Sequence, residues 1–395
     1  MIYVHVPFCR SFCTYCDFYS EVAARCSKTA DAVRQESFFE RFADAVVAEI
    51  GARKDELKGV CAEGGIHTLY VGGGTPSVMS LGFFRRLLDA LSLAGIPCDF
   101  DEFTVEVNPE DIVEKGQDYV KGLLEMGVNR VSMGVQSFDD KILKWMNRRH
   151  NALTAVKAYR ILEASGVENI SIDLIFGLPQ LSSALWAETI DNALNISAEG
   201  KKPCHISSYQ LSVEPGSALA RLVEKGDWEE ASDDVCQEQY SILCTKLSEA
   251  GYHHYEISNF ALPGHEAVHN SAYWRHVPYV GLGPGAHSFV KKESANVRCW
   301  NEQNLTAYIQ AAESGDFKDV TGNEVLDQEQ MALEKIMLGL RTSEGVDADY
   351  LKEYGNKEAV QAELDAGNLC LLDGGMARIP ESHFFISDNI ITSLV

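Results

Sequence analysis

"FCRSFCTYCDFYS", residues 8 to 20, places Cys9, Cys13 and Cys16 within eight positions and follows them with Asp17 and Phe18 rather than a fourth cysteine. Thiolates bind soft metals, so the stretch admits a zinc ion, an iron–sulfur cluster, or plain packing of small apolar side chains. A structural zinc site usually pairs Cys-x2-Cys with a second pair elsewhere, and none is supplied here, which leaves His5 as the fourth ligand of a zinc reading. A four-iron, four-sulfur cluster held by three thiolates keeps one iron open. An open iron can bind a substrate rather than merely carry electrons.

The triplet follows a run of β-formers, Ile2 to Val6, and five similar runs come after it: His67 to Val71, Phe103 to Val107, Arg130 to Val135, Ile170 to Phe176 and His205 to Leu211. Amphipathic segments lie between them. Phe39, Phe42, Val46 and Ile50 form one apolar stripe; Phe84, Leu87, Leu88 and Leu91 form another, with Ser80 as its expected N-cap. Strand and helix alternating in this way predict an α/β fold of parallel strands with crossover helices, open or curled into a partial barrel. Such sheets carry chemistry on the loops after their strands. The cysteines follow the first strand, "GGGTPS" (Gly72 to Ser77) the second and "NPED" (Asn108 to Asp111) the third.

The alternation fades from about Pro215, and residues 251 to 289 read as loop-rich. From about residue 310 the pattern is helical, ending in "LCLLDGGMARI" (Leu369 to Ile379), a hairpin turning at Asp373-Gly374-Gly375. Helices followed by a hairpin suggest a winged-helix-like unit. The expected organisation is therefore residues 1–215 as the α/β unit, 216–310 as a loop-rich extension and 311–395 as a smaller C-terminal helical domain.

Over 395 residues, 34 Lys and Arg stand against 58 Asp and Glu, a formal charge of -24 that opposes nucleic acid and anionic lipid as partners. The N-terminus lacks a basic leader and no window offers a long apolar run, so a cytoplasmic protein is expected. Eleven cysteines, eight of them scattered from Cys26 to Cys370, do not resemble a secreted disulfide framework; those eight read as ordinary thiols.

The spacing C-x3-C-x2-C directly after a first strand resembles the radical S-adenosylmethionine (SAM) superfamily. That resemblance implies a partial (β/α)6 barrel, a [4Fe-4S] cluster on Cys9, Cys13 and Cys16, and SAM chelated by the open iron. "YVHVPFC", "GGGTPS", "VEVNPE", "GVQSFD", "IDLIFGLP" and "LGPGAHSF", spread from Tyr3 to Phe289, occur in the order of the group around oxygen-independent coproporphyrinogen III oxidase. Carried over by motif, Tyr3, Tyr15, Gly73 and Glu106 match contacts of the cluster-bound SAM. Gly74, Thr75, Gln136, Arg148 and Asp173 match contacts of a second SAM. The residue types suit these roles: a carboxylate accepts from ribose hydroxyls or an ammonium, and an arginine pairs a carboxylate in two-pronged fashion.

Two departures separate the chain from the oxidases. They carry another cysteine two places after the third, where this chain has Phe18, and a substantial segment before the first strand, where only Met1 and Ile2 precede Tyr3. Both count against porphyrinogen decarboxylation, with a radical SAM enzyme acting on a porphyrinogen or another organic substrate kept as the alternative. "HNSAYW" (His269 to Trp274), with Phe18, instead resembles the haem chaperones of the HemW family. This implies haem as a further cofactor, His269 as a candidate iron ligand with His253, His254, His265 and His287 as competitors, and respiratory haem proteins as recipients. It leaves peripheral membrane contact and a monomer or homodimer open. Replacing Cys9, Cys13 and Cys16 together is expected to abolish the iron and sulfide content after anaerobic reconstitution, measured by metal and sulfide analysis.

Overall fold

The computed structural model describes residues 1–22, 32–63, 65–292 and 295–395; Cys26 lies outside them. Six strands are parallel and neighbours in chain order: β1 (Ile2–Val6), β2 (Thr68–Gly73), β3 (Glu102–Val107), β4 (Arg130–Gln136), β5 (Asn169–Phe176) and β6 (His205–Gln210). Crossover helices α1 (Ala32–Ala52), α2 (Leu81–Leu93), α3 (Pro109–Glu125), α4 (Ala152–Ala164) and α5 (Ser183–Leu194) alternate with them. Ser80 does occupy the N-cap position of α2, but its side chain makes no capping hydrogen bond. Asn151 and Ser182 do cap α4 and α5 in that way.

Residues 251 to 289 hold more regular structure than their composition suggests. β7 (His253–Glu256) and β8 (Asn259–Ala261) run antiparallel beyond β6, and β9 (Val280–Leu282) pairs in parallel with β1. The sheet therefore has nine strands in the order β9-β1-β2-β3-β4-β5-β6-β8-β7. A purely local reading misses β9, whose partner is almost the whole sheet's length away in sequence.

Side chains alternate along each strand. Leu69 and Val71, Phe103 and Val105, Val131 and Met133, Ile170 and Ile172, and Ile206 lie buried in the core with the helices. The alternate positions are polar: Thr68, Tyr70, Glu102, Thr104, Glu106, Arg130, Ser132, Ser171, Asp173, His205 and Ser207. Parallel strands covered on both faces normally read as continuous apolar runs. Here one face is polar because it curls around a cavity.

A short helix, α6 (Val268–Trp274), closes that cavity at the starts of the strands. The backbone N–H groups of Val268 and His269 donate to the Glu102 carboxylate at 2.8 and 3.0 Å. Tyr255 joins the same floor, its hydroxyl 2.7 Å from His205 Nε2 and accepting from Ala267 N–H. Beyond the sheet, β10 (His287–Lys292), β11 (Ala295–Asn301) and β12 (Thr321–Leu326) form an antiparallel meander. The C-terminal helices α7 (Gln328–Gly339), α8 (Ala348–Tyr354) and α9 (Lys357–Asp365) then meet a small sheet of β13 (Val346–Asp347), β14 (Cys370–Leu371) and β15 (Met376–Arg378). The turn between β14 and β15 spans Asp373-Gly374-Gly375, with Leu372 N–H donating to the Met376 carbonyl at 2.8 Å.

Glu49 of α1 joins these layers. Fully buried, its carboxylate accepts from Arg53 at 3.0 Å, Gly283 N–H at 2.8 Å, Asn301 at 2.8 Å and the Tyr308 hydroxyl at 2.7 Å. Removing one partner of a buried ionic network leaves the others uncompensated. Glu49→Ala is therefore expected to cost about 3–5 kcal/mol, read from chemical unfolding of the two proteins.

Candidate cofactor site

The cysteine loop is held down from three sides. Asn147 donates to the Phe12 carbonyl at 2.6 Å, and the Thr14 hydroxyl to the Trp145 carbonyl at 2.8 Å. Arg10 pairs with Asp111 at 3.2 Å and with Glu114, both on α3. The loop forms one wall of a cavity of about 380 Å3 that also reaches Tyr15, Gly73, Gly74, Thr75, Glu106, Gln136, Arg148 and Asp173. Among the described residues the three sulfurs share that wall without converging on one point.

A chain of hydrogen bonds ties two of them together. Cys9 Sγ lies 3.5 Å from the Thr75 hydroxyl, which accepts from Asn108 Nδ2 at 3.1 Å. Arg148 donates to Asn108 Oδ1 and the Gly134 carbonyl, each at 2.7 Å, and to Cys13 Sγ at 3.5 Å. Burial pushes the Cys16 thiol up to about 12 and raises Cys9 as well. The protonated thiol is then the stable form until a metal takes its place on sulfur. Cys9 and Cys16, with Cys13, put three cysteine sulfurs on a single loop facing one cavity, a donor set that fits an iron–sulfur cluster.

The glycines are there for space. Gly73 has φ +106°, and a Cβ on it would lie 2.6 Å from the His5 ring; a Cβ on Gly74 would meet the Phe8 carbonyl at 2.8 Å. Gly73 N–H instead donates to Glu106 at 3.1 Å, beside the Tyr70 hydroxyl at 2.7 Å. Gln136 adopts φ +67° where the β4–β5 register shifts, a strained conformation at the end of the strand. Across the cavity the Ser132 hydroxyl donates to Asp173 at 3.1 Å. Burial raises both carboxyls, Glu106 to about 7.

Residues 3–193 match the model of the radical SAM superfamily. Among curated proteins, the heme chaperone HemW of Bacillus subtilis is 34% identical over 89% of this chain and 86% of its own length. HemW of Synechocystis is 34% identical over 87% of this chain and 78% of its own. A mitochondrial radical S-adenosyl methionine domain-containing protein 1 from Danio rerio is 28% identical over the whole chain. The chain belongs to the HemW family. Among solved structures, coproporphyrinogen III oxidase (HemN) from Escherichia coli shares the fold, with a TM-score of 0.77 and 21% identity over 99% of this chain and 89% of its own.

Two residues singled out on sequence stand apart from this cavity. Tyr3 lies behind it, its hydroxyl 3.1 Å from His5 Nδ1 and its ring 6.0 Å from Tyr70. His269, first residue of the HNSAYW stretch, sits under the floor with both ring nitrogens engaged: Nδ1 is 2.8 Å from the Thr68 hydroxyl and Nε2 2.8 Å from the Tyr273 hydroxyl. It is 1% exposed, and burial lowers its pKa to about 3, so it stays neutral. In this arrangement neither nitrogen is available to an iron. Asn270, the next residue, is the one that reaches the cavity.

His5 is committed likewise, to Tyr3 and to the Tyr19 carbonyl at 2.8 Å, which removes the fourth ligand of a zinc reading. Of the competing histidines, none borders the cavity: His254 packs 4.0 Å from the Phe260 ring, His287 stacks on Trp300, and His253 lies 3.6 Å from Glu266. The motif reading passed over Tyr70, Asn108, Arg130, Ser132 and Ser207, all of which face the cavity. Their signal was the period-2 polarity of the strands, "RVSMGVQ" being the clearest case. His269→Ala is expected to lower stability by about 1–3 kcal/mol through the unpaired Thr68 and Tyr273 hydroxyls, measured by chemical unfolding.

Proposed function

We propose that the chain binds haem and delivers it to haem-requiring respiratory proteins, working with SAM and a [4Fe-4S] cluster on Cys9, Cys13 and Cys16. The observation that carries the cofactor half is one polar cavity joining the cysteine loop to Gly73, Glu106, Arg148 and Asp173. The haem half rests on family membership with relatives named heme chaperones. A cluster with one open iron, when bound, supplies a chelating point for the amino and carboxylate groups of SAM. Gly73 and Gly74 let the ligand approach the backbone, Glu106 accepts from its hydroxyls or ammonium, and Arg148 holds Asn108 and the Cys13 sulfur in place. Gly74, Thr75, Gln136, Arg148 and Asp173, which the resemblance assigns to a second SAM, border the same cavity.

In this reading residues 1–215 form the cofactor-binding unit, 216–310 close its floor, and 311–395 present a surface to partners. Haem is assigned to the mouth of the cavity rather than to His269. Phe12 and Phe18 of the cysteine loop are 42% and 65% exposed there, the kind of aromatic surface on which a macrocycle packs. Arg149, at the same rim, forms no ion pair among the described residues and is available to a propionate.

The described residues contain no helix long and apolar enough to cross a membrane. Anaerobic haemin titration of the reconstituted protein, followed by Soret absorbance, is expected to saturate near about one haem per chain. The double variant Phe12→Ser, Phe18→Ser is expected to weaken binding about tenfold or more, a loss near 1.4 kcal/mol. No saturable binding would refute the haem function. Weakening by His269→Ala alone, with Phe12 and Phe18 irrelevant, would return the haem to the α6 floor.

A further inference from the structure

Arg130 begins β4 and points into the polar interior, in register with Thr104 of β3 and Asn169 of β5. It is 2% exposed, yet its side chain forms no hydrogen bond and no ion pair among the described residues, and its Nε is without a partner. A buried guanidinium with no direct partner is costly unless nearby charge compensates it. The strand register supplies that charge. Glu106 lies two residues above Thr104 on β3, and Asp173 lies four above Asn169 on β5, both facing the cavity that Arg130 borders. The neighbouring rings of His205 and His269 add no positive charge: burial, and then the field of Arg130 among other charges, holds both neutral.

We propose that Arg130 is a positioning residue of the cofactor site: its buried, unpaired charge keeps Glu106 and Asp173 as carboxylates, so that Glu106 accepts from the hydroxyls or ammonium of SAM. This rests on Glu106 contacting SAM, as read above. The groups facing Glu106 are Tyr3 from β1, Tyr70 from β2, Arg130 from β4, Asp173 from β5 and Tyr209 from β6. Burial raises the three tyrosines, which therefore stay neutral at physiological pH. Burial raises the Glu106 pKa most, and the Tyr70 and Gly73 hydrogen bonds oppose it; of the charged groups, Asp173 raises it further and Arg130 lowers it, while Arg148 acts on Asp173 in the same direction as Arg130.

The sign follows. Glu106 binds as the anion, so SAM affinity should fall as the pH drops through its pKa, about 7. Losing the Arg130 charge moves that fall to higher pH. The test is equilibrium binding of radiolabelled SAM to the anaerobically reconstituted protein between about pH 6 and pH 9, where a one-unit shift is a tenfold change. Arg130→Met is expected to move the falling limb up by about one unit and to weaken binding about tenfold at neutral pH, with affinity recovering at the alkaline end. Arg130→Lys, which keeps the charge, is expected to retain the profile. A merely structural role would lower affinity equally at every pH.

An Arg130→Met profile parallel to that of the unsubstituted protein overturns the proposal. Glu106→Gln separates the two ideas: if it leaves SAM affinity unchanged, the Glu106 contact itself is wrong, whereas weakened binding with an unmoved Arg130→Met profile refutes Arg130 alone. Should Arg130→Met not fold, infrared spectroscopy of the unsubstituted protein decides. A protonated-carboxyl band lost in Glu106→Gln that persists above about pH 8 would refute the proposal, and its disappearance below that pH would support it.

Discussion

Thr68, Glu102 and His205 head the inward faces of three strands, and all three are fully or nearly fully buried polar side chains. Such groups must find partners away from bulk water. They find them on α6 and its approach: Glu102 takes the first N–H groups of the helix, Thr68 takes the His269 ring, and His205 takes the Tyr255 hydroxyl. The helix is thereby locked across one end of the curled sheet. The opposite end must stay open, because the inward residues above this floor are polar and leave a cavity rather than an apolar core.

What stands at the open end is governed by the same need for compensation. Besides Tyr15 and Tyr19, which pack against the core, polar contacts fasten the cysteine loop to neighbouring βα connections: Arg10 pairs with α3, Asn147 donates to Phe12, and Thr14 donates to Trp145 in the segment after β4. Arg148 then connects that loop to the cavity wall through Asn108 and Gly134. These contacts come from the exit segments that follow β3 and β4. Parallel topology places all of those exits at one end of the sheet.

The HNxxYW stretch shows how one motif can serve two ends of an argument. As sequence, a histidine beside tyrosine and tryptophan suits a haem contact equally well as a packed residue. In the fold, its backbone caps against Glu102 and its ring joins Thr68 to Tyr273, so the histidine supports the floor of the cavity while Asn270 faces into it. The exposed aromatic surface near the cofactor loop is supplied instead by Phe12 and Phe18.

Local spacing determined much of this protein. Period-2 runs located all six parallel strands, the i, i+4 stripes located α1 and α2, and Asp373-Gly374-Gly375 marked the C-terminal turn. Most of the residues named from the C-x3-C-x2-C triplet and the motifs after successive strands border the cavity, because loops after parallel strands share one end. Tertiary structure alone decided the pairings between distant segments: β9 beside β1, β8 beside β6, and α6 beneath Thr68 and Glu102. It also decided which polar groups are satisfied, placing His269 under the floor and leaving Arg130 buried and unpaired. Those outcomes depend on register and burial across the sheet, and the separation of two residues along the chain carries no information about either.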